Sequence, residues 1–322
     1  MALPDFLIIG APKAGTTALH AALANHPEVM VPTVKETKFF LCDGRRPVPQ
    51  AGPGDAHSSR EWIWERSDYE ALFEGPADRL KGESTPFYLY DRESHARMAS
   101  VVPGAKLIVI VRDPIDRAHS NWLHLWSDGL EPVSDFVAAC SLEDQRVAAG
   151  WAPFWHYLRL GRYGEQLEHL FNFFPRRQVE ILRYRELVDT PTDALDRICR
   201  FLNIEEGVVT EIPRENTRGY VGDSVRTRII ARTIRAGAAL GASFPPQAWR
   251  KASKPLISAL QHGAGTRPVV TAQERRQLLE SVVDDIRLLE DITERSFSDW
   301  MGDSGRGEFR VRVGGANAVA TD

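Results

Sequence analysis

Short apolar runs alternate with helical stretches along the chain. Residues 6–9, 106–111 and 179–182 are almost wholly apolar, and each is bounded by a turn signal or a charged residue. Such strands are typical of a parallel sheet covered on both faces, because neither face of the strand needs a polar side chain. Longer stretches between them, such as residues 16–25, have a helical composition. The pattern predicts an α/β fold, a three-layer sandwich whose central, mostly parallel sheet is flanked by helices.

The pattern also predicts one domain over residues 1–313, followed by a small, polar tail at 314–322 that we expect to be disordered. Thr271-Ala-Gln-Glu274 has the spacing of a capping box, which predicts a long helix from there to about Phe297. Residues 222–268 interleave arginines with isoleucines and then turn to proline and glycine, which predicts a basic amphipathic helix and an interrupted segment.

Composition narrows the function classes. The 322 residues are 43% hydrophobic and 26% charged, with a net charge of −4, so no global charge favours a nucleic-acid partner and any anion site must be local. The three cysteines lie far apart and form no C-x-x-C pair, which argues against a disulfide framework or a zinc site. The apolar start lacks a basic region, and no apolar run reaches transmembrane length. We expect a cytoplasmic protein.

The first strand leads through a glycine turn into a helix start that carries threonines. The run is Gly10-Ala-Pro-Lys-Ala-Gly-Thr-Thr17. Backbone N–H groups of such a turn and the helix N-terminus converge on an anion, to which a lysine adds charge and the threonines add hydroxyl donors. The candidate anion-binding residues are Lys13, Ala14, Gly15, Thr16 and Thr17.

The position of the lysine separates this loop from the nucleoside-triphosphatase pattern G-x-x-x-x-G-K-[ST]. Lys13 precedes the second glycine and therefore addresses a shorter, diphosphate-like group rather than a γ-phosphate. The sequence also shows no convincing apolar strand that ends in an aspartate for Mg²⁺. It predicts a nucleotide site that requires no metal, with a P-loop kinase of a small metabolite as the alternative.

A second candidate anion site follows the strand at 106–111. Arg112-Asp-Pro114 ends that strand, and Ser120 lies eight residues later on the predicted helix. An arginine and a serine so placed can hold one phosphate from two sides, the arginine through two hydrogen bonds.

The two runs together resemble the PAPS-dependent sulfotransferases, which use 3′-phosphoadenosine 5′-phosphosulfate (PAPS) as donor. Ile8-Ile-Gly-Ala-Pro-Lys-Ala-Gly-Thr-Thr17 is similar to their 5′-phosphosulfate loop, and Arg112 with Ser120 resembles their 3′-phosphate motif. Arg218-Gly219 resembles the late loop that closes over the 3′-phosphate and adenine. The resemblance implies a P-loop-type fold, PAPS as donor substrate and no required metal.

Between the two runs lies Lys35-Glu-Thr-Lys-Phe-Phe40, which resembles the heparan-sulfate-type and many bacterial members of that family. There the glutamate is the general base, which implies that Glu36 and Lys13 are the catalytic residues. The steroid- and phenol-type enzymes use a histidine instead. His119 and His124 flank the 3′-phosphate motif, but their spacing places neither at the sulfur.

A further run, Gly82-Glu-Ser-Thr-Pro-Phe-Tyr88, resembles the family segment G-E-K-S-P-x-Y that lines the donor and acceptor cleft. Ser84 stands where heparan-sulfate-type members carry a lysine, and this departure from the family segment argues against a heparan-like acceptor.

We therefore expect a bacterial sulfotransferase that moves a sulfuryl group from PAPS to a hydroxyl or amine of a carbohydrate, glycolipid or small natural product. Residues 222–268 would form a mobile helical cover over the acceptor cleft, and their apolar stripe and basic face suit a lipid-linked or acidic acceptor. The alternatives are the P-loop kinase and a non-catalytic nucleotide-binding protein.

Overall fold

A parallel sheet forms the centre of the molecule. The structure, a computed structural model, describes residues 2–53, 59, 61–213, 221–222, 224–240, 246–261 and 268–302. Within these residues the sheet has five strands in the order β2-β3-β1-β4-β5, and every neighbouring pair is parallel. The strands are β1 (Phe6–Gly10), β2 (Val29–Met30), β3 (Leu80–Ser84), β4 (Lys106–Val111) and β5 (Val179–Arg183).

Helices flank the sheet, as the sequence predicts. They are α1 (Thr16–Ala24), α2 (Arg66–Ala71), α3 (Arg92–Val101), α4 (Pro114–Ser127), α5 (Phe136–Ser141), α6 (Glu143–Ala148), α7 (Tyr163–Leu170), α8 (Tyr184–Asp189), α9 (Pro191–Leu202), α10 (Val225–Leu240), α11 (Pro246–Gln261), α12 (Ala272–Leu279) and α13 (Val283–Thr293). Every residue of β1 is buried, which explains its apolar sequence. The three-layer α/β sandwich with a parallel sheet is confirmed.

The search for apolar runs did not predict strand β3, because its sequence, Leu-Lys-Gly-Glu-Ser, contains three polar residues. Gly82 and Glu83 are nevertheless buried. A Cβ atom at Gly82 would lie 2.1 Å from the ring of Phe6, so a glycine is needed for β3 to pair with β1. The buried carboxylate of Glu83 has a role in the site described below.

The predicted long helix from residue 271 to about 297 is wrong. Thr271 and Glu274 do form a capping box, but the helix ends at Leu279, and a second helix begins at Val283. The break lets each half pack on a different partner. Arg275 of α12 pairs with Asp113 at 2.8 Å, and Asp285 of α13 accepts the backbone N–H groups that begin α7, at 2.9 and 3.0 Å.

The predicted cover contains the paired helices α10 and α11. Arg235 donates to the carbonyl of Gly129 at 2.9 Å, and the indole N–H of Trp126 donates to the carbonyl of Val221 at 2.8 Å. These contacts join the start of the segment to the end of α4. Whether the segment moves stays a prediction, and the tail at 314–322 lies outside the described residues. None of the helices in the described ranges is both long and apolar enough to cross a lipid bilayer.

Candidate active site

The residues predicted to bind the sulfuryl donor lie at the point where the order of the strands in the sheet reverses. After β1 the chain forms β3 on one side of it, and then crosses to β4 on the other side. The crevice at the carboxyl ends of the strands, beside such a switch, is where open α/β sheets bind ligands. The glycine turn follows β1 and Arg112 follows β4, so both sequence-predicted sites lie at this edge.

The glycine turn is shaped for an anion. Gly15 is the N-cap of α1 with φ of 94°, a left-handed conformation that favours glycine, and it has no side chain to cap the helix. The first turn of α1, all of which the structure describes, contains no acidic residue. The free N–H groups of this helix end, the Lys13 ammonium and the hydroxyls of Thr16 and Thr17 make a donor set that fits a phosphosulfate group.

Gly10 has a different role from Gly15. A Cβ atom there would lie 2.6 Å from the side chain of Leu89, so Gly10 allows the turn to pass close to the residues after β3. Backbone hydrogen bonds complete this junction, from Leu89 to the carbonyl of Ile9 at 2.9 Å and from Ala11 to that of Ile110 at 2.9 Å. The turn is thus fixed on both sides before any ligand binds.

The Lys13 ammonium reaches α4, where it lies 3.2 Å from Nδ1 of His124. An ammonium can only donate, so Nδ1 accepts and the proton of the neutral ring lies on Nε2, which is 3.7 Å from Asp128. His119 instead packs against the rings of Trp122 and Phe136. Of the two histidines that flank the motif, the structure brings His124 to the loop.

Ser120 shares a helix face with His124, because residues four apart on a helix are neighbours. This face of α4, which also includes Asp116, is half-exposed, whereas most of the helix is buried. Ser120 therefore lies on the face of α4 whose His124 contacts Lys13, and its role at a 3′-phosphate stays a prediction.

Arg112 joins the two anion sites. Its guanidinium donates to the carbonyl of Lys13 at 3.1 Å and lies over the ring of Tyr184, 4.7 Å from the ring centroid. A small cleft of about 40 Å³ opens here, and Arg112, Tyr184 and Arg185 are in its wall. A Cβ atom at Gly15 would lie 3.2 Å from the same tyrosine ring, so Tyr184 supports both sites.

Arg117 is the second arginine of this region and follows Arg112 by five residues. It is fully buried, and its guanidinium donates to the carbonyls of Pro12, at 3.4 Å, and Tyr157. Burial lowers the pKa of this guanidinium. Arg117 holds the glycine turn from behind and is not available to a ligand.

The loop with Glu36 has unusual backbone geometry. In the described part of the chain, five residues other than glycine have φ in the left-handed region, namely Lys13, Glu36, Lys38, Asn203 and Glu294. The last two end helices, where this conformation is common. The other three are in the glycine turn and the Glu36 loop. Non-glycine residues held in this region are concentrated at functional sites.

A buried carboxylate holds the Glu36 loop in place. Glu83 accepts hydrogen bonds from the hydroxyls of Thr37, Thr85 and Tyr88 at 2.6 to 2.8 Å, and from that of Tyr69. Burial raises the pKa of Glu83, and the four hydroxyl donors offset part of that rise. The loop backbone is also bound, because the N–H of residue 36 donates to the carbonyl of residue 84 at 3.0 Å.

Lys35 connects this loop to the glycine turn. Its ammonium donates to the hydroxyl of Thr17 and lies 3.7 Å from Oε1 of Glu36. The side chains of Lys35 and Glu36 are 23% and 34% exposed, so both reach the crevice. The structure therefore brings Glu36 to the donor loop, although the two are separated by a strand and a helix in sequence.

Aromatic rings form the wall of the crevice next to His124. Phe154 contacts the ring of His124, with centroids 5.4 Å apart, and that of Phe87, with centroids 5.8 Å apart. Phe87 belongs to the run at 82–88 that resembles the family's cleft segment. Arg218 and Gly219, the predicted late loop, lie outside the described residues.

Comparison with known proteins decides the family. The model of the Sulfotransferase family matches residues 4–207, which is more than half of the chain. The protein belongs to the sulfotransferase family. The match includes the Lys13 loop, Glu36 and the Arg112 motif.

Similar proteins include human heparan sulfate glucosamine 3-O-sulfotransferase 3B1, which is 30% identical over 65% of this chain and 48% of its own length. The human bifunctional heparan sulfate N-deacetylase/N-sulfotransferase 3 is 29% identical over 63% of this chain and 22% of its own length. This chain therefore spans less than half of the length of each of these two relatives. The crystal structure of a sulfotransferase from Alicyclobacillus acidocaldarius superposes with a TM-score of 0.72 at 26% identity, covering 94% of this chain and 100% of that one.

Proposed function

We propose that this sulfotransferase takes its sulfuryl group from PAPS and transfers it to a hydroxyl or amine of a carbohydrate, glycolipid or small natural product. One observation carries the choice of donor. Arg112 donates to the carbonyl of Lys13 at 3.1 Å, so two anion-binding groups lie on neighbouring strand ends. A nucleotide phosphorylated at both its 3′ and 5′ positions suits this pair better than a nucleoside triphosphate, which carries its phosphates in one chain.

In this proposal the donor supplies an activated sulfuryl group, and the side chains supply charge and a base. Glu36 accepts the proton of the acceptor's hydroxyl or amine. At the same time the oxygen or nitrogen of that group bonds to sulfur, and the bond between sulfur and the 5′-phosphate oxygen breaks. The leaving phosphate keeps the electron pair. Lys13, Thr16, Thr17 and the N–H groups of the turn are placed to stabilise the charge that builds on it.

The relatives and the wall of the crevice support the acceptor class. By their names, one relative is a heparan sulfate glucosamine 3-O-sulfotransferase and the other a heparan sulfate N-sulfotransferase, which supports a carbohydrate. Ser84 replaces the lysine of the heparan-sulfate-type segment and lowers the positive charge available to a polyanionic glycan. The aromatic wall of Phe87 and Phe154 suits the apolar face of a sugar ring or of a natural product.

Isothermal titration with 3′-phosphoadenosine 5′-phosphate (PAP), AMP and ATP tests the choice of donor. We expect PAP to bind at least about tenfold more tightly than AMP, because the extra 3′-phosphate can accept charge-assisted hydrogen bonds from Arg112, and one such bond contributes about 1.5–3 kcal/mol. Arg112→Ala should remove most of this preference. Arg185→Ala, which removes another arginine of the same cleft, is the matched control and should preserve it.

Equal affinity for PAP and AMP would exclude the proposed donor. The kinase alternative makes a separate prediction, because Mg²⁺ must accompany its triphosphate. We expect EDTA to leave transfer intact, since Lys13 and Arg112 already supply positive charge. A strict requirement for added Mg²⁺, with tighter binding of ATP than of PAP, would favour the kinase.

A further inference from the structure

Lys35 places its ammonium beside the first turn of α1 and the carboxylate of Glu36. Its ammonium contacts the Thr17 hydroxyl in the first turn of α1 and lies 3.7 Å from the Glu36 carboxylate. The N-terminus of a helix carries a partial positive charge, so a cation placed there is repelled. The partly exposed ion pair with Glu36 contributes about 1 kcal/mol or less.

The charge of Lys35 affects the pKa of a neighbouring histidine. His20 lies on α1, and its pKa is lowered to about 4, first by burial and then by the charge of Lys35. The chain thus keeps this cation beside a helix N-terminus and a neutral histidine. Such a concentration of positive charge becomes favourable when an anion binds between the groups.

Strand β3 has no positively charged side chain at its last residue, Ser84. Ser84 is 1% exposed, its hydroxyl finds no partner among the described residues, and its carbonyl accepts the N–H of Glu36. Where the heparan-sulfate-type segment carries a lysine, this chain has only a small buried side chain. On the loop bound to this strand, Lys35 lies one residue before the proposed base.

We propose that Lys35 is a further catalytic residue, whose ammonium binds the sulfuryl oxygens between the Thr17 hydroxyl and the Glu36 carboxylate. This inference rests on the proposed function. In the free protein the ammonium holds Glu36 toward the donor loop. During transfer it neutralises the charge on the sulfuryl group while Glu36 accepts the proton, so the cation that β3 lacks comes from the neighbouring loop.

Binding measurements separate this role from a structural one. The two ligands are PAP, which lacks the sulfuryl group, and a PAPS analogue in which a methylene replaces the bridging oxygen and prevents transfer. For Lys35→Met we expect the analogue to lose about tenfold or more in affinity, since one charge-assisted hydrogen bond contributes about 1.5–3 kcal/mol. PAP should lose less than about threefold, because it lacks the group that the ammonium binds.

Restoring the amine provides a second test. All three native cysteines are buried, so Lys35→Cys can be aminoethylated at its introduced thiol, which rebuilds a side chain of lysine length. We expect this treatment to restore both the affinity for the analogue and the turnover. Lys81→Met is the matched control, because Lys81 lies near the start of β3, at the opposite end of that strand from Ser84, and should leave both ligands unaffected.

The outcomes are distinct. Equal losses for PAP and the analogue, or no loss for either, would overturn the role of Lys35. Failure of the amine to restore affinity in a folded protein, checked by its circular dichroism, would do the same. If the wild-type protein does not prefer PAP to AMP, the proposed function itself fails, whatever Lys35 does.

Discussion

The guanidinium of Arg112 lies over the ring of Tyr184, and the same ring packs against the site of Gly15. One aromatic side chain thus supports the residue proposed for the 3′-phosphate and the turn proposed for the phosphosulfate. The relationship explains how two sites from distant parts of the sequence keep a fixed separation. Such a separation lets a protein select a nucleotide by the distance between its two phosphates.

Replacing Tyr184 should therefore weaken nucleotide binding. A cation–π contact contributes about 0.5–2 kcal/mol, so we expect Tyr184→Ala to lower PAP affinity by roughly three- to thirtyfold. Tyr184→Phe keeps the ring and should bind PAP as the wild type does. Titration calorimetry measures both, and a phenylalanine variant as weak as the alanine variant would show that the hydroxyl rather than the ring matters.

The hydrogen bonds to Glu83 make a prediction about the Glu36 loop. Thr37→Val removes one hydroxyl donor from a buried carboxylate, which should lower the free energy of unfolding by about 1–3 kcal/mol. Turnover should fall further than PAP affinity, because the threonine adjoins Glu36 and not the nucleotide. Thr37→Ser keeps the hydroxyl and should retain most of both quantities.

Urea unfolding and steady-state kinetics measure these effects. A valine variant that loses stability while its kcat stays at the wild-type value would show that the Glu83 contacts serve the fold alone.

Acid should destabilise the protein through His95. This side chain is buried, its Nδ1 lies 2.9 Å from Nδ1 of His169, and burial lowers its pKa to about 4. The pKa in the unfolded chain is near 6.5, so the unfolded state binds more protons between about pH 6.5 and pH 4. Stability is thus fully present above about pH 6.5 and is lost as the pH falls through this window, by about 1.4 kcal/mol per pH unit.

Unfolding by urea at pH 7 and at pH 5 measures this loss, to which His95 should contribute about 2 kcal/mol. His95→Asn removes the titrating ring and should lose correspondingly less on acidification, although it is less stable at pH 7. An equal pH-dependent loss in both proteins would show that His95 is not responsible.

The proposed cover at 222–268 makes a prediction for hydrogen exchange. Arg235 and Ile234 of α10 contact the residues just after α4, at Gly129 and Leu130. We expect the amides of α10 and α11 to exchange faster than those of β1 and β4, and to slow down when PAP binds. Amides as protected as the central strands without ligand, and unresponsive to it, would make the segment an ordinary part of the fold.

Periodicity and motif spacing predicted the central sheet because β1, β4 and β5 are apolar runs with clear ends. They missed β3, whose Gly82 and Glu83 are explained by contacts with Phe6 and with hydroxyls distant in sequence. They also joined α12 and α13 into one helix, since the separate partners of Arg275 and Asp285 cannot be read from local pattern.

For the site, the sequence predicted Lys13, Arg112 and Glu36 because each belongs to a recognisable run. It did not predict Tyr184, the burial of Arg117 behind the glycine turn, or the contact between Lys13 and His124, which depend on how strands and helices pack. The sequence also showed Lys35 only as part of a motif. Its position between Thr17 and Glu36 required the structure.

Transfer of label tests the central claim most directly. The protein is incubated with PAPS labelled with ³⁵S and, separately, with γ-labelled ATP, in the presence of a cell extract as a source of acceptors. The account predicts a labelled product from PAPS alone. It also predicts that Glu36→Gln lowers this transfer by about a hundredfold or more while PAP still binds, since the amide cannot accept the proton. Label that passes from ATP and not from PAPS, or a Glu36→Gln variant as active as the wild type, would contradict it.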